Sequence, residues 1–369
     1  MNSTGIVIMK SLTWSRDSHG LFDYESRNIL KRNLKAYGPC EVLRKGNEVT
    51  LCTSQSGISQ FTAESLPLAS LLQTETGLFY VKPAENEQLW LVVRSYKQPG
   101  LENGFQLSEG DVVKFGRVRF RIRSLKTNPS IDTDSFDEEA LIIDSSLESE
   151  NKICRICLSD GSEPDNPMIS PCKCSGSVKH IHLLCLVRWI TSRLAIKADD
   201  NLHSYYWKSV DCEICKHAFP MTINHQGRMN ELFPIEKPSE PYVILEEISK
   251  ERSSKSIHVI HLKNKDSVRL GRGHESEVRV SDISVSRCHA VISYRNGNFY
   301  LEDNKSKFGT LVEVSEGYAL EQNSQIAMQV GRTVISFSIK GEGQSHVNEL
   351  ESLNMSLDET VADPDFEED

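Results

Sequence analysis

The chain has 369 residues, 25% of them charged and 7% aromatic, with a formal net charge of −10. This length suggests two or three domains, and the composition is that of a soluble globular protein with some polar linker. The acidic balance argues against partners of two kinds, nucleic acid and anionic membrane, since both call for a basic surface.

No apolar run approaches the ~18–20 residues that span a bilayer. The start of the chain, with Lys10, Arg16, Asp17 and Asp23, lacks the apolar core of a signal peptide. The expected location is therefore cytoplasmic or nuclear. Disulfides are uncommon there, so the 10 cysteines read as metal ligands or free thiols.

In chain order, residues 1–125 form a first block that is strand-like towards its end. "GLFYVKPA", "QLWLVVRSY" and "DVVKFGRVRFRIRSL" are short β-rich runs split by Gly and Pro. Residues 126–150, "KTNPSIDTDSFDEEALIIDSSLESE", are acidic and serine-rich and read as a solvated linker. A cysteine-rich block covers 151–225. A third block, 240–340, returns to β texture with "IHVIHLKN", "SVRLGRG", "HAVISYRNGNFYLEDN" and "RTVISFSIK". In it the pair Asn296-Gly297 separates two alternating runs, a strong hairpin signal. Residues 341–369 hold no Lys or Arg and read as an acidic, disordered tail. The ends of the first and third blocks look alike, with Leu107, Val113, Gly116 and Phe120 facing Leu320, Ile326, Gly331 and Phe337. They hint at a repeated β-sandwich on either side of the cysteine block.

The cysteine block offers Cys154, Cys157, Cys172, Cys174, His182, Cys185, Cys212 and Cys215. They form four pairs, C-x2-C, C-x-C, H-x2-C and C-x2-C, enough for two closed tetrahedral zinc sites of structural type. Such staples stabilise a block too small to build a large core. His182 matches the spacing of the other pairs with Cys185, whereas His180 would give H-x4-C. His182 is therefore the expected ligand. In the run "HLLCLVRWITSRLAI", Leu186, Ile190 and Leu194 recur at near-helical spacing.

Four cysteines, one histidine and three cysteines in this spacing resemble the RING-CH variant of the RING domain. The texts "CRICLSD", "PCKCSGSVKHIH" and "CEICKHAF" are close to that family's pattern. The rival is the PHD finger, a histone-tail reader with the same ligand order. Seven residues between Cys174 and His182, Trp189 in "CLVRW", and Val210 where a PHD finger has an aromatic all favour RING-CH. The resemblance implies a cross-brace. Cys154, Cys157, His182 and Cys185 hold one Zn2+, and Cys172, Cys174, Cys212 and Cys215 hold the other. It also implies a ubiquitin ligase whose partner is a ubiquitin-charged conjugating enzyme. That enzyme would dock on Ile156 and Trp189, with Lys216 steadying the bound ubiquitin. With the block's cysteines committed to metal, none is left as a nucleophile, so the chain would act by positioning. RING-CH ligases are often membrane-anchored, a habit from which this chain departs.

The third block resembles a forkhead-associated (FHA) domain, a reader of phosphothreonine. The ordered set Gly271-Arg272, "DISVSRCHA" and "SKFGT" carries the likeness. Arg272 offers a planar fork of donors to phosphate, Ser286 a hydroxyl, and Arg287 and Lys307 charge. His289 has a structural role in the family, tying the loops together. Phe308 stands where family members have an Asn that holds the peptide backbone.

The expected architecture is thus mainly β and multidomain. A small cross-brace two-zinc RING-CH domain lies between an N-terminal β-rich, degenerate FHA-like domain and a C-terminal FHA β-sandwich. The expected activity is RING-type ubiquitin transfer to partners containing phosphothreonine. A non-catalytic phospho-dependent adaptor and a PHD-like histone reader are the alternatives.

Overall fold

The computed structural model describes residues 5–16, 20–53, 65–96, 104–127, 141–143, 152–208, 210–248, 255–262, 265–322 and 325–340. Most of the expected acidic linker and all of the expected tail lie outside these residues.

The chain divides into two compact units, Met1–Ile122 with Asp266–Asp369, and Arg123–Lys265. The first segment carries β1 (Ile6–Trp14), β2 (Ile29–Ala36), β3 (Cys40–Lys45), β4 (Glu48–Cys52), β5 (Ser65–Gln73), β6 (Phe79–Pro83), β7 (Leu89–Val92), β8 (Phe105–Gln106), β9 (Val112–Phe115) and β10 (Val118–Lys126). The second unit holds β11 (Leu141–Ile143), β12 (Met168–Ile169), β13 (Ile181–His182), α1 (Leu183–Thr191), β14 (Ala195–Asp199), β15 (Leu202–Trp207), β16 (Thr222–His225), β17 (Arg228–Glu231), β18 (Tyr242–Glu247) and β19 (Lys255–His261). The chain then returns to the first unit as β20 (Ser267–Gly271), β21 (Val278–Arg279), β22 (Ala290–Arg295), β23 (Asn298–Asp303), β24 (Thr310–Val314), β25 (Tyr318–Ala319), β26 (Ile326–Val330) and β27 (Thr333–Lys340).

In the first unit the two segments complete each other. One five-stranded sheet runs β25-β6-β5-β3-β4 and a second, in the same order of parts, β8-β23-β22-β20-β21. In each, the first strand comes from the other segment. A third sheet contains the run β2-β1-β27-β26-β7-β24-β9-β10. Thus β26 lies on β7, β9 lies on β24, and β27 is antiparallel to β1 from Ile6↔Lys340 to Thr13↔Thr333.

The likeness between the two ends is the key to this exchange. Leu107 N–H donates to Phe299 O at 2.9 Å, and Leu320 N–H donates to Phe79 O at 2.8 Å. Each final hairpin turns on a Gly-Arg pair. Phe115↔Val118 closes one and Val330↔Thr333 the other. Gly116 and Gly331 stand at φ 58° and 55°, where a side chain would be strained. Hydrophobic alternation locates strands without naming their partners, and so casts blocks 1–125 and 240–340 as separate domains. In the structure they interleave, and residues 240–265 fall in the other unit.

The second unit is built around one apolar cluster. Leu183, Leu186 and Ile190 face it from α1, Tyr205 and Trp207 from β15, and Ile257 and Val259 from β19. The helix ends at Thr191, so Leu194 packs on the cluster from beyond it. The stretch between Cys185 and Cys212 makes the hairpin β14–β15, and β15 pairs with β19 from Leu202↔Ile260 to Trp207↔Lys255. The cysteine block is therefore sewn by backbone hydrogen bonds to strands expected to open the third block.

Candidate metal centres and candidate phosphate-binding loops

The eight expected ligands gather into two clusters, Cys154, Cys157, His182 and Cys185, and Cys172, Cys174, Cys212 and Cys215. Within each, the donor atoms lie within 4.8 Å of one another. Zinc with ~2.3 Å bonds to sulfur sets tetrahedral ligand atoms ~3.8 Å apart. The observed Cys157 Sγ···His182 Nδ1, Cys185 Sγ···His182 Nδ1 and Cys174 Sγ···Cys212 Sγ separations of 3.3, 4.0 and 3.5 Å suit that geometry. Donor type and spacing both fit two zinc ions.

Two knuckles of the same build supply half the ligands. Cys154 N–H donates to Ser159 O at 2.9 Å and Leu158 N–H to Cys154 O at 2.8 Å. In the last pair, Cys212 N–H donates to His217 O and Lys216 N–H to Cys212 O, both at 2.8 Å. Leu158 and Lys216 end these turns with φ of 59° and 58°. The histidine is oriented as a ligand. A carbonyl only accepts, so His182 Nε2–H donates to Gly161 O at 2.9 Å, which leaves the Nδ1 lone pair facing the sulfurs. His180 belongs to neither cluster, and its carbonyl accepts from Arg155 N–H at 3.1 Å.

Each knuckle presents an isoleucine to solvent. Ile156 is 42% exposed and Ile214, at the same place in the last knuckle, 57%. Sequence reading chose Ile156 and missed Ile214, although the repeated C-x-I-C text was a usable signal. Trp189, half-buried on α1, meets Phe219 edge-on with ring centroids 5.8 Å apart. Arg193 covers the Trp189 ring at 4.6 Å and pairs with Glu213 of the last knuckle at 2.6 Å. Lys216 is exposed beside them in sequence.

The loops of the first unit that carry Arg272, Ser286, Arg287 and Lys307 are tied through His289. Its Nδ1 accepts from Ser286 N–H at 3.0 Å and its Nε2–H donates to Gly309 O at 3.1 Å. Burial holds the imidazole below the usual histidine range, in keeping with a neutral ring that donates on one side and accepts on the other. Arg272 N–H and Gly273 N–H donate to Ser286 O and Arg287 O, both at 2.9 Å. That approach demands glycine at 271, where an added Cβ would lie 2.1 Å from Arg287 O. Ser286 Oγ accepts from Lys307 N–H at 3.0 Å, and the side chains of Arg272, Arg287 and Lys307 are exposed. All four expected residues thus lie on loops joined to one another.

The departure at Phe308 has a structural counterpart. Phe308 packs on a cluster holding Trp14, Phe22, Tyr24 and Trp90 from the first segment. Tyr24 N–H donates to Lys307 O at 3.0 Å, and the Tyr24 ring lies where an added Cβ at Gly309 would come within 2.7 Å. Lys307 Nζ stands 3.6 Å from Asp23 and 3.8 Å from Glu25. Arg94 sits 4.1 Å over the Tyr24 ring and pairs with buried Asp303 at 2.9 Å, which fixes the base of the same loop.

Residues 154–215 match the family model of the RING-variant domain, and residues 268–329 match that of the FHA domain. The chain carries both domains. Similar curated proteins include the E3 ubiquitin-protein ligase MARCHF6 of Mus musculus, 38% identical over 88 residues, which are 24% of this chain and 8% of that protein. The E3 ubiquitin-protein ligase MARCHF7 of Pongo abelii is 29% identical over 115 residues, 29% of this chain and 15% of that protein. The ERAD-associated E3 ubiquitin-protein ligase DOA10 of Saccharomyces cerevisiae is 30% identical over 123 residues, 33% of this chain and 8% of that protein. The chain therefore spans only a small part of the relatives it matches. No solved structure matches it.

These relatives correct one expectation. A cytoplasmic or nuclear location was inferred from the lack of a spanning run. The RING-variant domain here is similar to that of a ligase named for its ERAD association, so the inference from hydropathy does not hold. Among the described residues no helix is long and apolar enough to cross a membrane, which leaves the compartment open.

Proposed function

We propose that the RING-variant domain docks a ubiquitin-charged conjugating enzyme through Ile156, Trp189 and Lys216, with Ile214 as a further contact. The FHA loops bring in a protein bearing phosphothreonine through Arg272, Ser286, Arg287 and Lys307. The observation that carries this reading is the pair of exposed isoleucines on zinc-type knuckles, in a domain similar to that of named ubiquitin ligases. Zinc would hold the domain in shape. The eight donors would be committed to it, so the thioester would stay on the conjugating enzyme. There the thioester C–S bond breaks as the substrate lysine Nζ bonds to the ubiquitin carbonyl, and the conjugating enzyme regains its thiol. The chain's part is to hold the two partners in place.

The test is self-ubiquitination of the full chain with a panel of conjugating enzymes. Ile156→Ala is expected to retain zinc and lose most transfer, since docking anchors typically cost about 2 kcal/mol or more when truncated. Trp189→Ala is expected to lose transfer and also some stability, because Trp189 packs on Phe219. A zinc-loaded chain inert with every conjugating enzyme, yet able to hold phosphopeptides, would be an adaptor.

A further inference from the structure

Arg155 sits between Cys154 and Cys157, inside the knuckle of the three-sulfur, one-nitrogen cluster. Its side chain reaches the other cluster. Nη1 donates to Cys174 Sγ at 3.4 Å and Nη2 donates to Cys212 Sγ at 3.3 Å. Those two sulfurs come from separate stretches of chain. Nη1 also donates to Val178 O at 2.9 Å, while Arg155 N–H donates to His180 O at 3.1 Å. One residue thus grips both pairs of the four-sulfur cluster and the link leading to His182.

The charges make this arrangement consequential. Four thiolates outweigh one zinc ion by two charges, while three thiolates and an imidazole outweigh it by one. The four-sulfur centre therefore has the greater need of a cation. A guanidinium is permanently charged and planar, and its fork can donate to two sulfurs at once. Groups that hold ligands in place from outside the coordination shell typically change metal affinity 10- to 100-fold when removed.

We infer that Arg155 is a positioning residue that couples the two zinc centres: mounted on the three-sulfur centre, it holds the sulfurs of the four-sulfur centre for metal. The inference rests on the zinc reading of both clusters and adds a dependence of one centre on the other. Ile214 is held by the knuckle of the four-sulfur centre, so that part of the docking surface inherits the dependence, while Ile156 stays with the three-sulfur centre.

The test uses the full chain loaded with cobalt(II), whose visible absorption differs between four-sulfur and three-sulfur, one-nitrogen sites. A competing chelator is added stepwise. In Arg155→Ala the four-sulfur signal is expected to disappear at about 10- to 100-fold lower chelator than in the parent, with the three-sulfur signal retained. Arg155→Lys keeps the charge but not the fork, and should fall between the two. It also provides the readout should Arg155→Ala fail to fold. Arg193→Ala, which removes a cation paired with Glu213 beside Cys212, should release metal as the parent does. Simultaneous loss of both signals at the parent's chelator concentration in Arg155→Ala and Arg155→Lys would overturn the inference. So would equal selective loss in Arg193→Ala, which would assign the effect to net charge. A parent chain that takes up no metal would overturn the zinc reading and the inference with it.

Discussion

Phe115 lies edge-on to His289, with ring centroids 5.5 Å apart and planes at 63°. The two residues lie on opposite sides of the zinc block in sequence, and both are fully buried. His289 holds the Ser286 and Gly309 loops together, so a hairpin from the first segment underpins the loops proposed to bind phosphate. Phe115→Ala should cost about 3–5 kcal/mol of stability. It should also weaken phosphopeptide binding without removing any residue proposed to bind phosphate. Denaturant unfolding and peptide titration of the full chain check this, and unchanged values in both would mean that the exchanged hairpin is dispensable.

Metal content discriminates between the two histidines. The parent should hold about two zinc ions per chain. His182→Ala should lose about one, while His180→Ala should keep both, since only His182 directs a ring nitrogen at the sulfurs. Elemental analysis of the purified variants gives the answer, and the opposite pattern would reverse the assignment.

Phosphopeptide binding should depend on Arg272. Charge-assisted bonds contribute roughly 1.5–3 kcal/mol, so Arg272→Ala should weaken binding by about ten- to a hundred-fold. Asp23→Asn combined with Glu25→Gln releases Lys307 from its two carboxylates and should strengthen binding about two- to fivefold, the scale of partly exposed ion pairs. Titration with a phosphothreonine peptide and its unphosphorylated twin measures both effects. Equal affinity for the twins would end the phosphate reading.

The second unit should lose stability in mild acid through His258. Its buried ring accepts from Ser204 Oγ at 2.9 Å and donates to Ser256 Oγ at 3.1 Å, and Ser256 Oγ in turn donates to Glu247 at 2.7 Å. Burial pulls the pKa down from 6.5 to about 4. Between those values the unfolded chain binds a proton that the folded chain refuses, so stability falls as pH falls through this window. The full effect is on the order of 3 kcal/mol. Acid also weakens zinc binding, so the informative quantity is the difference between parent and His258→Gln. The variant should show a shallower loss from pH 6.5 to 4, and identical slopes would refute the assignment.

What could be read from residues alone was what local spacing encodes. The eight ligands and the choice of His182 follow from pairs two or three positions apart, a distance over which a turn leaves little freedom. The strands follow from alternation. The exchange of hairpins was out of reach, because Leu107 and Leu320 present the same pattern to two equivalent acceptors and alternation cannot say which one each takes. The setting of Phe308 was hidden for a related reason, since its neighbours Tyr24 and Trp90 come from the far segment. Arg155 gave no signal at all, because an arginine inside a knuckle looks like a solvated charge until its fork is seen on two sulfurs.

The exchange also bears on the order in which the chain is made. On the ribosome β1 and β7 emerge long before β27 and β26, which lie beside them. At about 5–20 residues per second, the wait is on the order of half a minute. For that time the N-terminal half presents open strand edges, the kind of surface that invites wrong pairing and capture by chaperones. A premature stop that removes residues after 325 would therefore damage strands laid down long before it. Such a nascent product would leave β1 and β7 each short of a neighbour.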